Sequence, residues 1–394
     1  MSNIRYLHII RGFAAFFVVL AHAKWPFWVG GSQFLKEVGF SNLPWIDQLG
    51  LALALASSNG TSMVIVFFVL SGFIISYSYQ KNRWTYKQFL VNRAIRIYIP
   101  YIAAALLAGL FLWLAFNMAE PVFRSPIKDY HERISVAYSE GLTIQNFFKT
   151  LFFAKNERIN YFGFNYVFWS LLYEVLFYLL FPLIIKYCKY IFLCAGLFYP
   201  LHFIYNPLPE INHWYFYFTE YLFYFTGGVL LFHYYTSQKE KGMEKRFLFR
   251  KPVLSIVLLT SFLLVVLGVS SRLKDLSFLA AAIFGAAWIL RVMLYGIGNN
   301  LLSKSLLFLG TISYSLYLVH IPLLLLAYSS LFYFFGWHTY SSPWIHLLLA
   351  IATLPFAYLF YLLFEKWSII LINRHKKTVH SQPVEANLNP IKTS

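Results

Sequence analysis

The sequence predicts an all-α integral membrane protein, a polytopic bundle of about ten transmembrane helices, and three observations predict it. Hydrophobic residues make up 59% of the chain and charged residues 12%, with a mean hydropathy of +0.60. An average soluble domain is about a quarter charged and under half apolar, so a water-soluble surface cannot be built from this composition. The apolar residues gather into runs of about twenty, the length of a bilayer-crossing helix, and Lys and Arg fall mainly in the short connections between them.

Hydropathy places the spans near residues 7–29, 62–79, 97–117, 166–187 and 189–205, and then near 214–235, 252–270, 276–296, 306–330 and 344–372. That leaves room for one membrane domain, residues 1–373, followed by a polar tail, 374–394, whose composition reads as disordered. Only Arg5 precedes the first apolar stretch, and no small-residue cleavage site follows, so the first span is read as a retained helix. Cys188 and Cys194 lie in or beside one span without metal-ligand spacing and read as apolar filler. No metal is expected.

An even number of spans puts both termini on one side. Connections on that side carry Lys81, Arg83, Lys87, Arg93 and Arg96, then Lys186 and Lys189, then six cations between Lys239 and Lys251, and finally Arg374, Lys376 and Lys377. The opposite short connections, 206–213 and 331–343, hold no Lys or Arg. By the positive-inside rule the termini are cytoplasmic. The same rule accounts for the net charge of +17, so nucleic acid is rejected as a partner. The segment 118–165 is long, mixed in charge and placed on the outer face, where a long connection covers a site, binds substrate or acts as a spacer. No internal repeat of the kind seen in many transporters stands out.

Ionisable residues at bilayer depth are expensive and are candidates for function. Arg291, Glu365, His213 and His233 lie toward span ends, where interfacial anchoring explains them. Arg11, His22, Glu174, Glu220 and His320 sit deeper. Arg11 and His22 are eleven residues apart, which is three helical turns plus roughly 20°, so they share one helix face about 16 Å apart along the axis. This suits a long ligand with an anionic head and a reactive far end. Arg93 and Arg96 lie one turn apart where the third span begins, a pair able to fork onto phosphates, although topology alone also places arginines there. Glu174 in the middle of the fourth span needs a partner, for which His22 is eligible. His320 stands in a run of hydroxyl side chains that equally suits helix-to-helix hydrogen bonding.

These residues resemble the bacterial membrane-bound acyltransferase family three, typified by O-acetyltransferases of lipopolysaccharide O-antigen and exopolysaccharide, and the similarity runs from the first span to the last. The most specific match is Arg11-Gly12-Phe13-Ala14-Ala15 leading to His22. Then come 67–73 (Phe-Phe-Val-Leu-Ser-Gly-Phe, with Ser71), the Arg93-x-x-Arg96 pair, Trp169-Ser170-Leu171 with Glu174 and Phe177-Tyr178, and Ser313-Tyr314-Ser315 with Tyr317-Leu318 and His320. The chain departs from the pattern at His8 and Val175, where the family often has acids.

The resemblance implies a fold and an activity: transfer of an acetyl or other short acyl group from cytoplasmic acyl-CoA, in the first place acetyl-CoA, to a hydroxyl of a saccharide or lipid-linked saccharide, at the bacterial inner membrane. It implies that Arg11, Arg93 and Arg96 neutralise the donor's phosphates. His22 is then a general base or a transient acyl acceptor, oriented by Glu174, and Ser71, Trp169, Ser170, Tyr317 and His320 are further candidates. Two other classes stay open on the residues alone: a transporter or flippase with a polar path through Arg11, Glu174 and His320, and a polysaccharide polymerase, which would need neither the paired arginines nor CoA.

Overall fold

A computed structural model describes residues 2–27, 34–36, 39, 42–82, 84–124, 129–155, 159–199, 214–270, 274–336 and 342–381. After a 3-10 turn (Ser2–Leu7), the helices are α1 (His8–Phe27), α2 (Trp45–Ala56), α3 (Gly60–Asn82) and α4 (Tyr86–Met118). Three short helices follow, α5 (Glu120–Arg124), α6 (Asp129–Gly141) and α7 (Ile144–Leu151), then α8 (Trp169–Phe198) and α9 (Trp214–Lys239). The remainder is α10 (Lys251–Ser270), α11 (Lys274–Tyr295), α12 (Leu301–Thr311), α13 (Ser313–Phe335), α14 (Ile345–Phe360), a π-helical turn (Tyr361–Glu365) and α15 (Lys366–Ser381). The protein is a multi-pass, all-helical membrane protein. Eight helical segments among the described residues are long and apolar enough to cross a bilayer.

The count of about ten is recovered through α8 and α9. The helical run of α8 breaks at Tyr187 (φ −115°, ψ 23°). Phe177, before the break, packs on Phe225, and Phe192, after it, stacks on Phe223 at 4.6 Å. A straight helix would hold Phe177 and Phe192 about 22 Å apart, whereas Phe223 and Phe225 are neighbours on one helix, so the chain reverses at Tyr187. The packing of α9 on α3 requires the same reversal. Phe68 meets Tyr221 at 5.3 Å and Phe73 meets Phe232 at 5.6 Å, so the two helices run parallel. Parallel neighbours need an odd number of crossings between them, supplied by α4 and the two limbs of α8. The tyrosine-rich α9, 26 residues long, is the sixth crossing.

Three expected boundaries move. The third span begins at Tyr86, not near 97, because Thr85 and Gln88 form a reciprocal capping box (Gln88 N to Thr85 Oγ1 3.3 Å, Thr85 N to Gln88 Oε1 3.0 Å). Arg93 and Arg96 therefore sit inside a helix rather than in a connection. The ninth span is interrupted at Ile312 (φ −95°, ψ 5°), so α12 and α13 are separate helices and Ser313 starts the spanning one. At the C-terminus α15 runs on to Ser381, and the rest of the tail, 382–394, lies outside the described residues, as do Arg83, His213 and most of the connection before α9. The segment 118–165 is largely helical, and its apolar side chains, among them Phe123, Ile134, Ala137 and Ile159, are buried with Phe116 of α4 and Tyr328 of α13.

With lipid as apolar as leucine, helices associate through close packing of small residues. A Cβ on Gly228 would stand 2.0 Å from Val69 O, and one on Gly72 would stand 2.2 Å from Phe225 O. The backbones of α3 and α9 thus touch. In the same way Gly12, beside Arg11, lies against α12, where a Cβ would be 2.2 Å from Leu306 O. Gly228→Leu should separate α3 from α9 and cost about 3 kcal/mol or more through overpacking, whereas Gly227→Ala, whose added Cβ would meet only the Phe192 ring at 3.4 Å, should be tolerated. Thermal unfolding midpoints of the two variants in detergent measure the difference.

Candidate active site

Five helices surround one cavity of about 930 Å³, its open mouth included. Helix α1 contributes Arg11, α3 contributes Phe67 and Ser71, and α4 contributes Arg93 and Arg96. The first limb of α8 contributes Ser170, Glu174 and Tyr178, and α13 contributes Ser313, Tyr314 and Tyr317. Of the residues singled out from the sequence, Arg11, Ser71, Arg93, Arg96, Ser170, Glu174 and Tyr317 line this cavity, and His22, Trp169 and His320 do not. Trp169 packs instead on Tyr173 and Tyr221, at 5.9 and 5.4 Å.

The three arginines are held differently. Arg96 Nη2 donates to Glu365 Oε1 at 2.6 Å, and the Ser315 amide and hydroxyl donate to Glu365 Oε2 at 3.0 and 2.5 Å. Glu365 is 0% exposed. The expectation that Glu365 anchors at the interface is corrected: the π-helical turn points its carboxylate inward, where it is the counter-charge of Arg96. Arg96 Nη1 has no hydrogen-bond partner. Arg93 lies over the rings of Phe89 and Tyr178, 5.3 Å from each centroid, and its Nε is unbonded. Arg11 faces the charges of Glu174 and Glu365 without a hydrogen bond to either. Three guanidinium groups and one lining carboxylate make the cavity electropositive.

The pairing of Glu174 with His22 does not occur. Glu174 Oε1 accepts from the Tyr178 hydroxyl one turn away, and His22 Nδ1 lies 2.9 Å from Nε2 of His320. Tyr178 enters the sequence reading only as part of a motif and not as the partner of Glu174, although its i, i+4 spacing from Glu174 is a legible signal. Nothing in the sequence announces Glu365 as the partner of Arg96, because they are 269 residues apart.

At its closed end the cavity is bounded by Tyr317, whose hydroxyl donates to Val167 O at 2.8 Å and so accepts from Ser170 Oγ at 2.7 Å. Neither proton is left for a ligand in this arrangement. Behind Tyr317, 5.9 Å from its ring, is His320, and then His22 with Tyr166 edge-on at 5.3 Å. Pro322 has no amide proton for Leu318 O, and Asn165 Nδ2 donates to that carbonyl at 2.8 Å. This bond docks the end of the segment 118–165 on α13 and sets Tyr166 against His22. Phe153, Asn160 and Phe164 in this segment have φ of 56°, 62° and 59°, a left-handed conformation that is strained for phenylalanine. Packing maintains it, with Phe153 stacked on Tyr101 at 4.9 Å and Phe164 buried.

Removing one partner of a buried ion pair leaves an uncompensated charge. Glu365→Ala should therefore lower stability by about 3–5 kcal/mol and Glu365→Gln by less, since the amide keeps an acceptor for Arg96. Denaturation of both variants in one detergent tests this, and equal losses would count against the ion pair.

A comparison with protein families finds that a model described as an acyltransferase domain, acyltransferase family 3, matches residues 4–362. No curated protein and no solved structure matches the chain. A match over nearly the whole length, on a polytopic bundle that brings the Arg11, Arg93 and Glu174 motifs to one cavity, makes this chain a member of the membrane-bound acyltransferase family 3, and its activity acyl transfer.

Proposed function

We propose that the protein transfers an acetyl or other short acyl group from cytoplasmic acyl-CoA to a hydroxyl of a cell-surface saccharide, such as O-antigen or exopolysaccharide, free or lipid-linked. In this reading it resides in the bacterial inner membrane with both termini in the cytoplasm. The observation that carries the reading is the cavity: Arg11, Arg93 and Arg96 converge in it, Arg93 and Arg96 each with an unbonded nitrogen, and the His22–His320 pair stands behind its Tyr317 wall.

The positive-inside distribution puts the arginine mouth at the cytoplasm, where CoA esters are made. Phosphates of the donor bind the guanidinium groups through charge-assisted hydrogen bonds, Arg96 offering Nη1 while Glu365 holds Nη2. The thioester arm runs along α1 toward His22, about 16 Å from Arg11, and passes Tyr317 once its hydroxyl leaves Val167 and Ser170. His22 Nε2 takes the proton of the acceptor hydroxyl as its oxygen attacks the thioester carbonyl. The tetrahedral intermediate then collapses, the carbon–sulfur bond breaks, and CoA leaves as a thiolate that collects the proton. His22, half-buried on α1 beside Tyr166, then meets the acceptor coming from the opposite side.

Purified protein given acetyl-CoA and a panel of saccharides should release CoA only when an acceptor is present. His22→Ala should lose at least roughly a hundredfold in kcat. Arg93→Gln should raise the donor KM by about tenfold or more, the loss of a hydrogen bond to a charged group. Wild-type turnover by correctly inserted His22→Ala would overturn the role of His22, and absence of donor binding would overturn acyl-CoA as donor.

A further inference from the structure

We propose that His320 is a positioning residue that fixes the tautomer of His22 and so determines which of its nitrogens is the base. This rests on the reading of His22 as general base and adds the device that makes it one.

His320 is 0% exposed on α13. Its Nδ1 lies 2.8 Å from Tyr317 O and 3.1 Å from Leu316 O. Carbonyl oxygens only accept, so Nδ1 carries the proton. A neutral imidazole has one N–H, and Nε2 of His320 therefore presents its lone pair. That nitrogen faces His22 Nδ1 at 2.9 Å, with the two rings within 19° of parallel. The donor across this contact must be His22 Nδ1–H. The remaining nitrogen of His22, Nε2, then holds the lone pair, and no group among the described residues bonds it.

The chain of bonds thus runs from a main-chain carbonyl of α13 through two imidazoles to one free basic nitrogen. Without an acceptor at residue 320, His22 distributes between its two tautomers and several ring orientations, and only part of the population can take a proton from the acceptor. Because His320 touches neither the arginines nor the cavity, donor binding does not depend on it.

Two measurements test this, one independent of activity. In 15N-histidine spectra of the wild-type protein, with the His22 signals assigned by their loss in His22→Ala, His22 should appear as the Nδ1–H tautomer. In His320→Leu, which keeps bulk but has no acceptor, that signature should give way to a mixture. In turnover, His320→Leu should lose roughly tenfold or more in kcat with the acyl-CoA KM within about twofold, and His320→Gln, whose side-chain oxygen can accept from Nδ1–H, should recover much of the loss. An Nε2–H tautomer in the wild-type protein overturns the proposal, as does wild-type kcat in His320→Leu when His22→Ala is inactive. If His22→Ala is itself active, the base reading fails and the spectra still decide the tautomer. Should His320→Leu not fold, the wild-type spectrum and His320→Gln decide.

Discussion

Inside a bilayer a guanidinium group needs a counter-charge, and the bond of Arg96 to Glu365 is the constraint from which the site is assembled. Glu365 uses both oxygens: one holds α4 through Arg96 and the other holds the first turn of α13 through the Ser315 amide and hydroxyl. Tyr314 adds a bond from its hydroxyl to Ile97 O at 3.0 Å, three residues before Pro100 of α4. Once the start of α13 is set against α4, the rest of α13 has no freedom to slide. Tyr317 then closes the cavity, and His320, one turn further on, meets His22.

The far half of α13 is held by a second polar obligation. Pro322 leaves Leu318 O without its helical partner, and lipid offers none. Asn165 fills the gap from the end of the segment 118–165. A proline that would weaken an isolated helix thus becomes the point where the segment docks, and Tyr166 is brought to the edge of the His22 ring. The segment folds back onto α4 as well, with Tyr101 donating to Thr150 O at 2.5 Å and the Phe162 amide to Thr150 Oγ1 at 2.8 Å. Its role is to build the wall around His22, which explains why strained phenylalanines are tolerated there.

The proposed function needs an anionic donor held at one place and a basic nitrogen kept at another. The arrangement separates the two tasks along α1, with Arg11 in the electropositive cavity and His22 in a neutral pair. It also gives them different supports: Glu365 and Glu174 balance the arginines, and a main-chain carbonyl orients the histidines. Gly12 is structural in this scheme, letting α12 approach so closely that Arg11 has only the cavity to face.

The sequence alone determined the membrane class, the approximate positions of most spans and the charged residues of the cavity lining, because hydropathy and the expense of intramembrane charge are local properties of the chain. It also placed Arg11 and His22 on one helix face, since helical periodicity is local too. The partners were a different matter. His22 is an eligible partner for Glu174 in the sequence, whereas the carboxylate bonds Tyr178 within its own helix and His22 finds His320 across the bundle, 298 residues away. Glu365 read as interfacial because a π-helical turn, which rotates it inward, has no hydropathy signature. Which polar groups meet is decided by the rotation and crossing of packed helices, and those depend on close approaches such as Gly72 with Gly228 that exist only in the tertiary structure.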